Sequence, residues 1–240
     1  MSGTEFDLSR LADYLHLSPD KLLRLAERGQ IPARRLRGEW RFSEQEIHQW
    51  LEQRIGGSNP EDLADMETVL RGPQSQTAGA QLTLSELLLP AAIELNLDAR
   101  TRPAVFPAIV AVAARTGLVW DNDKLAAALK AREELQSTAL EQGVALLHAR
   151  RPQTHILGDA FVALGRLPSG IPFGNSRNIP TDLFFLICML EDKSHLQILA
   201  RISRLIVAPN VLEGLRAADS PQNVLAIIRD AETTFLADAS

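Results

Sequence analysis

A single cysteine in 240 residues leaves no internal disulfide framework, so the fold has to rest on a packed core. No apolar run reaches the roughly 20 residues that a membrane-crossing helix needs. The first residues also lack the basic-then-apolar order of a secretory signal. These absences lead to the expectation of a cytoplasmic protein without membrane insertion. The five histidines are scattered, and no carboxylate–histidine spacing typical of a metalloenzyme accompanies them, so no metal is expected. There is no phosphate-cradling glycine loop of the Walker type, which argues against a nucleotide site of that kind, and no cofactor is expected. Internal repeats, low-complexity tracts and a long heptad run are missing as well.

What is present suits one or two globular domains: 45% hydrophobic residues, 23% charged residues and a formal charge of −5. That charge is an average over unlike segments. Between positions 24 and 41 stand Arg24, Arg28, Arg34, Arg35, Arg37 and Arg41 against Glu27 and Glu39, six positive charges less two negative, a local excess of about +4.

The basic stretch lies inside a compact pattern. Leu8, Leu11, Ala12 and Leu15 fall at helical spacing, Ser18-Pro19-Asp20 supplies a cap and an early proline, and Leu22, Leu23, Leu25 and Ala26 resume the apolar stripe until Gly29 ends it. Ile31 to Leu36 and Glu39 to Phe42 flank Arg37-Gly38 and read as a short hairpin. Ser43 followed by Glu46 forms a capping box for a third helix bearing Ile47, Trp50 and Leu51. Helix, turn, helix, basic hairpin, helix is the order of a small winged helix. The segments Leu11-Ala12-Asp13-Tyr14-Leu15, Trp40-Arg41-Phe42 and Trp50-Leu51 resemble the excisionase and MerR-like DNA-binding family over about residues 5 to 54. The resemblance implies double-stranded DNA as partner, with the second helix in the major groove and the wing along the backbone or minor groove. Lys21, Arg24 and Arg28 would then be helix contacts, and Arg34, Arg35, Arg37 and Arg41 wing contacts.

Gly56-Gly57-Ser58-Asn59-Pro60 and Gly72 to Gly79 read as linker, with a short acidic helix expected over Glu61 to Leu70. The domain expectation is therefore 1–55 for the winged helix, 56–80 for the linker and 81–240 for a second module. In that module Leu84 to Leu88 opens a short helix or turn before Pro90, and Ile93-Glu94-Leu95 is strand-like. Arg102 to Thr116 and Asp123 to Ser137 are helical, Val144 to His148 is a strand, Ala160 to Arg166 and Asp182 to Leu190 are rich in β-formers, and Ser194 to Ile206 is helical. The fold class expected is α/β (α+β) in two domains, the second a mixed sheet with flanking helices.

The run Gly143-Val144-Ala145-Leu146-Leu147 ends at His148. An apolar strand delivers such an imidazole to a sheet edge, where a neutral ring nitrogen is nucleophilic near pH 7. His155, beside Arg150 and Arg151, reads as a surface residue, and Cys188 as a core thiol rather than a nucleophile. With Ala163-Leu164-Gly165-Arg166, Gly170 to Gly174, Asp182 to Leu190 and His195 to Arg201 following in order, residues Leu82 to Glu232 resemble the fructose/mannitol and nitrogen-type enzyme IIA domains of the bacterial phosphotransferase system. Those domains carry an arginine–glutamate pair ahead of the phosphorylated histidine, and Arg132-Glu133 stands in the matching place here. The resemblance implies that His148 accepts the phosphoryl group, that His195 hydrogen-bonds it, and that Arg132 supplies a nearby cation. A guanidinium fork and a ring donor suit a group bringing about two negative charges. Two residues depart from the family pattern: Leu147 stands where proline usually precedes the histidine, and Pro172 where a polar or acidic residue is common.

Together the two resemblances imply a regulator that couples phosphotransferase status to transcription, with a histidine phosphocarrier protein as donor. Two alternatives stay open. One is a phosphocarrier relaying the group to a sugar-permease component. The other is a non-phosphorylated regulator that binds a kinase or transporter.

Overall fold

A computed structural model describes residues 5–15, 17–57 and 83–237. The chain divides into two compact units, Met1–Gln81 and Leu82–Ser240. The acidic helix expected over Glu61 to Leu70, and the linker residues from Ser58 to Gly79, lie outside the described residues.

In the first unit, β1 (Glu5–Phe6) precedes α1 (Leu8–Tyr14), and Asp7 caps that helix by accepting the Arg10 N–H at 2.8 Å. Helix α2 (Pro19–Glu27) starts at the expected cap, where Ser18 Oγ accepts the Lys21 N–H and Pro19 fills the first turn. It stops ahead of Gly29, whose φ of +64° suits glycine. Strands β2 (Arg34–Leu36) and β3 (Glu39–Ser43) form the hairpin, and β1 adds to the other side of β3 in the order β1-β3-β2. Helix α3 (Glu44–Gly57) runs through Gly56 and Gly57, two residues read from sequence as linker. Leu11, Leu22, Phe42 and Ile47 are fully buried between these elements. At the hairpin turn Arg37 and Gly38 both have positive φ, +54° and +89°. That is the geometry in which asparagine or glycine is favoured, and an arginine there costs on the order of 1 kcal/mol.

The second unit opens with α4 (Leu84–Leu87) and β4 (Leu88–Glu94), followed by α5 (Arg102–Ala114), α6 (Asn122–Leu135) and β5 (Val144–His148). Then come β6 (Phe161–Ile171), β7 (Thr181–Cys188), α7 (Asp192–Val207), α8 (Val211–Ala217) and α9 (Pro221–Ala237). The four strands lie in the order β4-β6-β7-β5. The outer pairs, β4 with β6 and β5 with β7, are parallel, and the central pair is antiparallel. The expected mixed α/β architecture is what the chain adopts. Pro90 lies on the edge strand β4, where the ladder slips between Leu88 and Ile93, because proline has no N–H to give.

Alternate residues of each strand face opposite layers. Ala145, Leu147, Ala163, Phe184 and Leu186 enter one core with Val105, Ile109, Leu125 and Leu129 of α5 and α6. Helices α7 and α9 pack on the sheet's remaining surfaces, at β7 and β4. Two buried or half-buried charges tie the periphery down. Glu232 of α9 accepts the Leu84 and Ser85 N–H groups at 2.6 and 3.0 Å and pairs with Arg201 of α7 at 3.5 Å. Arg166 donates to four backbone carbonyls, those of Leu95, Leu215, Arg216 and Ala218, so one guanidinium satisfies the C-terminal end of α8 and a β4 loop together. Arg166→Met keeps the stem and removes every donor. It is expected to lower the unfolding free energy of the second unit by about 2–3 kcal/mol, read from the urea midpoint at unchanged m.

Candidate functional site

Gly143 begins the construction of the site. Its φ is +77°, and a Cβ there would sit 2.9 Å from both Arg216 Nη2 and the Pro180 carbonyl, so only glycine lets the chain enter β5 at this angle. Arg216 is itself fixed by a two-pronged pair with Asp182, 2.8 Å on each arm, and by the Gln142 carbonyl. From there β5 runs parallel to β7, with Leu147 opposite Leu186 and His148 opposite Ile187. The ladder therefore sets the backbone at His148, and Leu147, found where a proline is usual, places its side chain in the core. The free side of β5 is closed by the loop after α6: Leu146 N–H reaches the Thr138 carbonyl at 3.1 Å and Leu140 N–H the Val144 carbonyl at 2.7 Å.

His148 stands at the carboxyl end of this edge strand, a position where parallel strands commonly present chemistry. Because β5 is at the edge, groups from different helices converge on it. Arg132, in the last turn of α6, donates from Nε to His148 Nε2 at 3.1 Å and from Nη1 to the Gln136 carbonyl at 3.0 Å. His195, in the first turn of α7, lies with its ring centroid 4.8 Å from that of His148 and the planes at 58°. The structure thus brings together all three residues that the sequence selected for this site. His148 is buried, while Arg132 and His195 are partly exposed.

The hydrogen-bond partners assign the tautomer. His148 Nδ1 is 2.8 Å from the Leu146 carbonyl, which can only accept, so Nδ1 carries the proton. Nε2 is then the unprotonated nitrogen with its lone pair directed at Arg132. An imidazole so held has its basic nitrogen at Nε2, with a guanidinium beside it. The N-terminal turn of the 16-residue helix α7 adds a positive dipole end beside the same rings.

One organising residue was quoted in the sequence without a role. Glu133, 3% exposed, accepts from Arg102 Nη2 at 2.9 Å, Ser137 Oγ at 2.8 Å, Thr138 N at 3.0 Å and Thr138 Oγ1 at 2.6 Å. It fixes the turn whose Gln136 and Thr138 carbonyls hold Arg132 and β5. An acid beside a selected arginine, followed by Ser-Thr, was the available signal. Cys188 is buried in β7, and burial pushes its thiol up to about 12, so it stays protonated and inert. His155 is exposed.

In the first unit Lys21, Arg24 and Arg28 are exposed along α2 at helical spacing, opposite the buried Leu22 and Ala26. The wing cations are less alike than their sequence implies. Arg34 pairs with Glu5, Arg41 pairs with Glu39 at 2.6 Å, and Arg35 lies 4.8 Å over the Trp40 ring. Such exposed pairs are worth less than about 1 kcal/mol each and open readily to a stronger anion.

Residues 86–231 match the family model of the phosphoenolpyruvate-dependent sugar phosphotransferase system, EIIA 2, and the chain belongs to that family. Residues 6–55 match a helix-turn-helix domain. A nitrogen regulatory protein of Bradyrhizobium diazoefficiens is 30% identical over 150 residues, 61% of this chain and 95% of that protein. The fructose-specific EIIABC component of Bacillus subtilis is 28% identical over 149 residues, 61% of this chain but only 23% of that longer protein. Among solved structures, nitrogen regulatory protein IIA-Ntr from Neisseria meningitidis superposes with a TM-score of 0.55 at 25% identity, over 60% of this chain and 97% of that one. The Escherichia coli mannitol IIA, solved in complex with phosphorylated IIB, shares the fold with a TM-score of 0.53 at 21% identity, over 60% and 99% of the two chains. No helix among the described residues is long and apolar enough to cross a membrane.

Proposed function

We propose that this protein is a regulator whose EIIA domain, 81–240, takes a phosphoryl group on His148 from a histidine phosphocarrier protein, and whose helix-turn-helix domain, 1–55, binds duplex DNA in a manner that depends on that group; residues 56–80 would link the two. The observation that carries the reading is the His148 ring with Nδ1 held by the Leu146 carbonyl and Nε2 facing Arg132. In the transfer, the phosphorus–nitrogen bond of the donor breaks as Nε2 forms a new one. The Leu146 carbonyl steadies the positive charge left on the ring, and Arg132 moves from Nε2 to the phosphoryl oxygens. His195 supplies a further ring nitrogen to the same oxygens. The signal is electrostatic, since about two negative charges would arrive beside Arg132 and His195.

A second reading, a phosphocarrier passing the group on to a permease component, draws on the mannitol IIA solved with phosphorylated IIB. The helix-turn-helix match favours regulation, for a carrier has no use for it. The test is incubation of the full chain with the general phosphotransferase proteins and phosphoenolpyruvate, followed by mass spectrometry and duplex-DNA binding. An acid-labile label together with altered DNA affinity is expected. Absence of label removes the acceptor role, and label that leaves DNA binding unchanged but moves to a permease component favours the carrier.

A further inference from the structure

Among its described residues the second unit leaves two large apolar side chains in water, Trp120 at 67% and Leu135 at 62% exposure. They stand at opposite ends of one helix: Trp120 directly precedes Asp121, the cap of α6, and Leu135 is the last residue of α6. The indole is held in place. Its backbone N–H donates to the Ile156 carbonyl at 2.8 Å, and its ring lies on Gly158, where a Cβ would come within 3.3 Å of it. Helix α6 buries Leu125, Leu129 and Glu133 on its inner face. At about 100° per residue the positions opposite them are Ala127 and Ala131, and both are exposed. Asp123, Lys130 and Glu134, exposed as well, border these alanines on one side.

We infer that α6 is a self-pairing face, on which a second copy of the chain lies antiparallel, with Trp120 of each copy against Leu135 of the other. Such a contact has to be complementary to itself, and this one is. Matching position 120 to position 135 sets the two-fold axis between Ala127 and Ala128. Small side chains then meet where the helices are closest, at an interaxial distance of about 8 Å, and the large ones close both ends. Charge agrees with the same register, which brings Lys130 within about 3 Å, measured along the helix, of Asp123 of the second copy, and does so twice by symmetry. Asp123 pairs with no cation among the described residues, while Lys130 lies 3.9 Å from Glu134 of its own helix, so each lysine would sit between two carboxylates. A helix pair about 21 Å long offers less than the roughly 800 Å² per partner of a standard interface, so the pairing is weak, with a Kd on the order of 10–100 µM. The phosphoryl donor fits this face less well. It has to centre on His148, beside Arg132, and Ala127 lies about 140° around the helix from Arg132.

Sedimentation equilibrium of the full chain from about 1 to 500 µM should show monomer and dimer in exchange. Beside the two-fold axis Ala127 meets its own copy, about 1.5 Å away along the helix. Ala127→Glu and Ala127→Lys should therefore each stay monomeric, whereas an equimolar mixture of the two should dimerise at least as tightly as wild type. Both replacements are good helix formers at an exposed position, so both variants should fold. Trp120→Ala should weaken the dimer about tenfold. A wild type that is monomeric throughout, a dimer that either Ala127 variant leaves intact, or a mixture that stays monomeric would each overturn the pairing. So would an Ala127→Glu variant changed only in its rate of labelling by a phosphorylated histidine phosphocarrier protein, because the face would then belong to the donor.

Discussion

Replacing His148 with alanine is expected to abolish phosphoryl labelling, and replacing Arg132 with leucine to slow it by about 10²–10³-fold at unchanged stoichiometry. The first outcome follows because Nδ1 of His148 is held by the Leu146 carbonyl, and Nε2, which accepts from Arg132, is the ring nitrogen proposed to attack. His195 is retained in the variant, so residual label on it would show that the two imidazoles exchange roles. The second follows from timing. In the proposed transfer Arg132, bonded to Nε2 beforehand, would move to the phosphoryl oxygens, so its contribution would grow as negative charge reaches the site. Arg132→Lys keeps one charge without the fork and should fall between wild type and leucine. Loss of His148 leaves the Leu146 carbonyl without its ring donor, a cost of about 1–3 kcal/mol that a typical domain survives. Rapid-quench measurement of the initial labelling rate, on variants whose circular dichroism matches wild type, checks both. Labelling of His148→Ala at the wild-type rate would sink the acceptor assignment.

Much of the site was legible because its parts lie on strongly patterned segments. The apolar run Val144 to Leu147 reads as a strand that delivers His148 to a sheet edge, and the Ser194 to Ile206 periodicity reads as the helix that carries His195. The N-terminal module was legible through punctuation: Ser18-Pro19, Gly29 and Gly38 stand where caps and turns demand them. Short or non-local features were not. Strand β1 is two residues long and exists only because Phe6 meets Phe42 across the ladder. Helices α8 and α9, after Ile206, went unassigned, and β6 runs beyond Arg166 to Ile171 despite Pro168 because its ladder slips there. The tautomer of His148 depends on where the Leu146 carbonyl points, and the neutralisation of Arg34 depends on Glu5, 29 positions away. Neither has a signature at short range.

Glu133→Ala is expected to cost the second unit about 3–5 kcal/mol, a large share of the stability of a typical domain. The carboxylate is 3% exposed and is the acceptor for Arg102, Ser137 and both Thr138 donors, so its removal strands a cation and several buried hydrogens at once. Arg102 is less enclosed, with its side chain 40% exposed, and can recover water, which holds the expected loss near the lower figure. Glu133→Gln separates charge from shape. The amide oxygen still accepts, but its NH₂ would face donors, so about half the loss should remain. Stability would be read from urea unfolding of the full chain, following a probe in the second unit. The site adds a second readout, because the turn that Glu133 holds carries the Gln136 carbonyl bound to Arg132 and the Thr138 carbonyl bound to β5. Under conditions where Glu133→Gln is fully folded, His148 labelling should therefore slow about tenfold, with the acid lability of the label unchanged. A folded Glu133→Gln that labels at the wild-type rate would reduce Glu133 to a stabilising residue and leave Arg132 positioned by α6 alone.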